Sequence, residues 1–139
     1  DAEELIARFE GHTSDLLRTC ISNWWARIGA TKLSGISKLM MAESGNFPDV
    51  ARFYHEEVVS RGEALIRRIV ERGIATGEFR SVDPVTATRV IIAPVLMLMM
   101  WRHSLHYCHL EPIEANAFLD CMVDLLTRGF EAPTTSLPS

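Results

Sequence analysis

Cysteine is scarce in this chain: the 139 residues include only Cys20, Cys108 and Cys121, and no two of them form a Cys-x-x-Cys pair. So few thiols, so widely spaced, exclude a disulfide framework and a thiolate metal or redox motif. They read as buried thiols of a reducing compartment. Positive charge is in deficit as well, with 14 Lys and Arg against 18 Asp and Glu, a net charge of −4, and the basic residues are scattered along the chain. That distribution lacks the electrostatic footprint of a nucleic-acid-binding surface. Long apolar runs are missing too. The longest uncharged stretch, Val90 to Trp101, has twelve residues between Arg89 and Arg102, whereas a membrane span needs roughly 18 to 20. It reads as a core helix, with no membrane partner. The opening residues Asp1, Ala2, Glu3 and Glu4 lack the basic start and apolar block of a signal peptide, so a cytoplasmic location is expected. A first residue other than Met points to a processed protein or a portion of a longer one.

What is present is an apolar fraction of 47%, enough for one domain of this length to build a core without staples. Every periodic segment repeats at three to four residues and none alternates as a strand does, so the fold class is all-α, with about six helices. The first, about residues 2 to 10, aligns Leu5, Ile6 and Phe9. The second starts near Thr13 or Ser14, either of which suits a helix cap, and stacks Leu17, Cys20, Ile21, Trp24, Trp25 and Ile28. The third, about 32 to 44, is stopped by Gly45, which tolerates the left-handed conformation found after a last helical turn. The fourth opens at Pro48, carries an apolar stripe from Val50, Phe53 and Tyr54 through Val58 to Ile69, Val70 and Ile74, and ends at Gly77. Asp83 and Pro84 start the fifth, which runs to about Tyr107 and is apolar on all sides between Val90 and Trp101, with Pro94 inside it. A helix of that kind must be covered all round, which six helices of one chain do not obviously supply. The sixth starts near Pro112. Residues 1–132 therefore form one helical domain, and the polar, Pro-containing tail 133–139 is expected to be disordered.

No catalytic constellation is visible, and the chain is not expected to be an enzyme. His103, His106 and His109 invite a metal site, but three-residue steps rotate the side chains progressively, so that the outer two lie about 120° apart on a helix. Neither His-Glu-x-x-His nor any Glu-x-x-His pair occurs, and no cofactor is assigned. A helical haem or metal protein, with His55 facing His103 or His106, remains an alternative reading, as does a purely structural helical module. More informative are the soft apolar residues Trp24, Trp25, Met40, Phe53, Tyr54, Met97, Met100 and Trp101, which suit a pocket for a lipophilic ligand of variable shape. Arg27, His55, Arg102, His103 and Tyr107 are the polar residues available to orient such a ligand.

Residues 39–80, from Leu39-Met40-Met41-Ala42-Glu43 and Phe47-Pro48 to Gly77-Glu78-Phe79-Arg80, together with Asp83-Pro84, resemble the C-terminal domain of TetR-family transcriptional regulators. In that family a Glu-x-x-x-Phe-Pro segment opens a long helix that ends in Gly-Glu-(Leu or Phe)-Arg, and Asp-Pro begins the next helix. The resemblance implies a homodimer in which the last two helices of each copy form a four-helix bundle. Val90, Ile91, Val95, Leu98, Phe118, Met122, Leu125 and Leu126 are the candidate seam. It further implies a small effector bound in the helical core, and DNA contacted only through an N-terminal helix-turn-helix domain that this sequence does not include.

Overall fold

The computed structural model describes residues 2–31, 34–104 and 113–133, and its helices begin and end where side chains or neighbouring segments satisfy their free backbone groups. In chain order they are α1 (Ala2–Arg8), α2 (Thr13–Trp24), α3 (Ser34–Glu43), α4 (Pro48–Tyr54), α5 (Ser60–Ala75), α6 (Pro84–Ser104) and α7 (Ala115–Phe130). Two of these continue through wider π-helical winding: α2 runs into Trp25–Gly29, and α4 joins α5 through His55–Val59. The described residues contain no strand, and an isolated bridge pairs Phe79 with Glu131. The fold class is all-α, as the three-to-four-residue periodicity indicates.

Local signals account for several boundaries. Pro48 occupies the first turn of α4, where its missing amide costs no bond. Asp83 accepts bonds from the Thr86 amide (3.1 Å) and hydroxyl (2.6 Å) at the start of α6, and these hold its carboxyl below the usual range. Gly77 follows α5 at φ +79°, a conformation open to glycine. Other boundaries differ from the sequence reading. Gly45 is not in the left-handed region; α3 ends instead with the amides of Asn46 and Phe47 both donating to the Glu43 carbonyl. Helix α7 begins at Ala115 because the Glu114 carboxylate accepts from the amides of Asn116 (3.1 Å) and Ala117 (2.6 Å). Lys32 and Leu33, the expected start at Pro112, the expected end of the fifth helix at Tyr107 and the tail 134–139 lie outside the described residues.

The core is assembled around α2 and α6. Helix α2 packs on α5 and α7, while α6 packs on α5, α3 and α7, and α1 lies against α5. Leu16, Leu17 and Ile21 of α2 meet Ile69 and Val70 of α5, Ile91, Val95, Leu98 and Met99 of α6, and Leu119, Met122 and Val123 of α7 in one cluster. The segment Pro84–Arg102 has the length and hydropathy of a membrane span. About a third of it is buried, and those residues pack in that cluster with the other helices.

The expected stripe of the fourth helix is split. Ile69 and Val70 are fully buried, but Val50 and Phe53 are more than half exposed. The π-helical winding of His55–Val59 explains the break: a bond to i+5 inserts an extra residue per turn and shifts the phase of the stripe between α4 and α5. The cysteines differ from expectation as well. Cys20 is half-buried and burial pushes its thiol up, whereas Cys121 is exposed on the outer side of α7. Cys108 lies outside the described residues.

Gly73 shows how tightly α5 is packed near its end. A Cβ there would overlap the ring of Phe79, which is itself held against Phe130 with ring centroids 5.4 Å apart. The Gly73→Ala variant should therefore lose about 1–3 kcal/mol of stability. By contrast a Cβ at Gly62 meets nothing within 4 Å inside the same helix, and Gly62→Ala should gain about 0.5–1 kcal/mol. Urea unfolding of the two variants checks both signs.

Candidate functional site

The residues expected to line a ligand pocket do not share one environment. Trp25 is buried within the π-helical stretch, with its indole filling the space over Gly29 where a Cβ would otherwise stand. Trp24, Met40, Tyr54, Met100 and Trp101 are half-buried. Trp101 meets Phe118 of α7 edge to face at 5.9 Å. Phe53 and Met97 stand at the surface, 66% and 47% exposed. Of the polar candidates, Arg27 and His55 are exposed, and Arg102 donates to the Ala30 carbonyl (2.9 Å), fastening the end of α6 to the end of α2. The His103 side chain, Tyr107, His106 and His109 lie outside the described residues. An open concavity lies on α1, lined by Glu4, Leu5, Arg8, Phe9 and Glu10, and shares none of its lining with the expected ligand residues.

The candidate seam residues divide by one step of the helix. Ile91, Val95, Leu98 and Met122 are buried inside this chain, Phe118 and Leu126 are half-buried, and Val90 and Leu125 are 49% and 66% exposed. Because α6 is apolar all round, its composition carries no angular signal, and residues one position apart point about 100° from each other. The exposed apolar residues of α6 include Val90, Ala93 and Met97, and those of α7 include Ala117, Cys121 and Leu125. Ala93, Ala117 and Cys121 are not among the expected seam residues; their three-to-four-residue spacing along the two helices is the signal that joins them to Val90 and Leu125.

The densest polar arrangement lies at the other end of the domain. The expected cap of α2 by its own Thr13 or Ser14 is not what the structure shows. His12 takes the cap position without a side-chain capping bond, and Thr13 is the first helical residue. The cap comes from Glu78, 65 residues away. Its Oε1 accepts from the Thr13 amide (2.9 Å), and its Oε2 accepts from the Thr13 and Thr76 hydroxyls, the latter at 2.7 Å. His12 Nδ1 stands 3.3 Å from Oε1. Partial burial alone would raise the carboxyl, but these bonds outweigh it and lower Glu78 from 4.5 to about 2.

Around this carboxylate several segments are tied together. The Phe79 amide donates to the Gly73 carbonyl (2.9 Å), the Arg80 amide to the Phe130 carbonyl (2.8 Å), and the Ala132 amide back to the Glu78 carbonyl (3.2 Å). The turn Gly77-Glu78-Phe79-Arg80 thus joins the end of α5, the start of α2 and the end of α7. Each residue has its own task. Gly77 reverses the chain, Glu78 caps α2, Phe79 is buried against Gly73 and Phe130, and Arg80 pairs through its backbone.

Residues 10–106 match the family described as tetracyclin repressor-like, C-terminal domain. The chain belongs to that family. No curated protein and no solved structure matches it. In this tetracyclin repressor-like domain, the matched region takes in α2 to α6 and the whole of the Glu78 turn, but not α7.

Removing the charge at Glu78 should be felt by the whole fold. Glu78→Gln is expected to cost about 1–2 kcal/mol, the range for a lost helix cap. The folded-state value lies below the ordinary one, so the stabilisation is present above pH 4.5 and is lost as the pH falls toward about 2. Denaturant titrations across that window should show a steeper acid limb for the wild type than for Glu78→Gln. Equal slopes would remove Glu78 from the account of acid stability.

Proposed function

We propose that this domain senses a small, lipophilic effector and pairs two copies of a transcriptional regulator. DNA binding would reside in a separate helix-turn-helix domain. Membership of the tetracyclin repressor-like family carries the reading. Two physical features support it. The first is the exposed apolar stripe on each of α6 and α7, where Val90, Ala93 and Met97 stand beside solvent on one helix and Ala117, Cys121 and Leu125 on the other. Apolar residues repeated along two neighbouring helices form the kind of surface that a second copy covers, by the self-complementary contact of a twofold axis. The seam is accordingly placed on Val90 and Leu125, with Phe118 and Leu126 at its edge.

The second feature is that Trp24, Met40, Tyr54, Met100 and Trp101 are each half-buried rather than sealed in the core, with Arg102 at the end of α6. Polarizable side chains of this kind accept ligands of variable shape, with few polar groups to orient them. An effector that binds one arrangement of the helices better than another shifts the population toward it. The shift would then reach the DNA-reading domains through α1 and alter their spacing relative to two half-sites. The reading assigns the domain no catalytic role.

Sedimentation of the wild type at micromolar concentration should give a species near twice 15.6 kDa. Val90→Glu combined with Leu125→Glu should give the 15.6 kDa protomer with unchanged helical circular dichroism. A wild-type monomer would sink the pairing. For effector sensing, tryptophan emission titrated with medium-chain acyl and polycyclic aromatic compounds should saturate for at least one of them. A featureless response across both classes would count against a lipophilic site.

A further inference from the structure

The joint between α1 and α2 has no lock of its own. Residues Phe9–His12 are not helical, and the His12 side chain at the cap position makes no capping bond to the helix. What holds the joint comes from α5 and the turn after it. Arg72, in the last turn of α5, donates from Nη2 to the carbonyls of Phe9 (3.0 Å) and Gly11 (3.2 Å), and from Nη1 to the Thr13 hydroxyl (3.1 Å). Its guanidinium also lies 5.6 Å from the centroid of the Phe9 ring. Phe9 follows α1 directly and Gly11 lies two residues further on, so the cation serves the carbonyls at and just beyond the end of α1 while the Glu78 carboxylate serves the amide end of α2. Both charges have the sign that the helix ends favour. The Thr13 hydroxyl, fully buried, accepts from Arg72 and donates to Glu78, which joins the two caps into one chain of bonds.

We propose that residues 72–78 act as a double clamp that fixes α1 to α5 and α2, and that Arg72 is the positioning residue whose release frees α1 as a unit about Gly11. Helix α1 is otherwise held by a small apolar contact: Ile6 is buried in the core, Leu5 and Phe9 are only partly buried against it, and the surface ion pair Glu3–Arg68 (3.3 Å) is largely exposed. Exposed pairs of that kind contribute little. Arginine is needed because a planar fork serves three acceptors at once, which a lysine ammonium on a flexible stem does not reproduce. Gly11 belongs to the same device, since a Cβ there would stand 3.0 Å from the Phe9 ring on which the guanidinium rests. In the effector reading, this clamp is the path by which a change in α5 reaches α1. That consequence rests on the proposed function, but the clamp itself does not.

Amide hydrogen exchange without any effector tests the clamp. In Arg72→Met, which keeps the aliphatic stem, amides of residues 3–17 should exchange on the order of tenfold faster, the scale of one lost charged hydrogen-bond set. Those of α7 should be unchanged, and Arg72→Lys should recover only part of the protection. If Arg72→Met loosens every helix, Thr13→Val decides, because it breaks the link between the two caps while keeping the side chain's shape. Selective exposure of residues 3–17 in either variant supports the clamp. An unchanged α1 in Arg72→Met, or a uniform increase across all helices in Thr13→Val, overturns it. Because no effector is present, failure here is distinct from failure of the tryptophan titration, which tests the sensing function.

Discussion

The carboxylate of Glu78 is the contact on which the rest of the domain depends. A helix begins with amides that have no partner within the helix, and α2, the central helix of the core, begins without a cap of its own. Glu78 supplies that cap from a turn that also carries Phe79 into the core and pairs with the end of α7. One short segment therefore settles where α2 starts, how α5 ends and where the chain leaves α7. Charge-assisted bonds in a partly sheltered place are stronger than neutral ones, which is why several donors collect on a single side chain. The segment Gly77-Glu78-Phe79-Arg80 thus has a mechanical reason in this chain.

Helix α6 faces a different constraint. A helix that is apolar on every side must be covered on every side, and α3, α5 and α7 cover only part of it. Pro94 lies in the same helix and offers no amide to the Val90 carbonyl four residues earlier. Val90 itself is half exposed.

Much of the element pattern was legible from local chemistry. Asp83 with Pro84, Pro48 at a first turn and Gly77 after a last turn each act on neighbouring backbone, and each does in the structure what its residue type favours. Glu57 with Arg61 (3.0 Å) and Arg67 with Glu71 (2.9 Å) pair at the four-residue spacing that places them on one helix face. Gly45 shows the limit of such signals. A glycine permits the left-handed conformation without requiring it, and bonds from Asn46 and Phe47 to Glu43 ended α3 another way. The ligand and seam residues were less legible. Identity alone says that Phe53, Met97, Ile91 and Leu98 are apolar, but not which of them a neighbouring helix covers.

By itself the sequence determined the all-helical class, the main helix boundaries and the resemblance to a regulator family, because these depend on periodicity and on groups a few residues apart. Only the tertiary structure decided three further matters. It placed Glu78 and Arg72 at the joint between α1 and α2, about sixty residues away in the chain. It shifted the apolar stripe between α4 and α5 through π-helical winding, which side-chain periodicity does not encode. It also chose which side of α6 was buried, burying Ile91 and leaving Val90 in solvent. The reason is the same in each case: the deciding contact is made by a partner distant in sequence, and a local pattern carries no record of it.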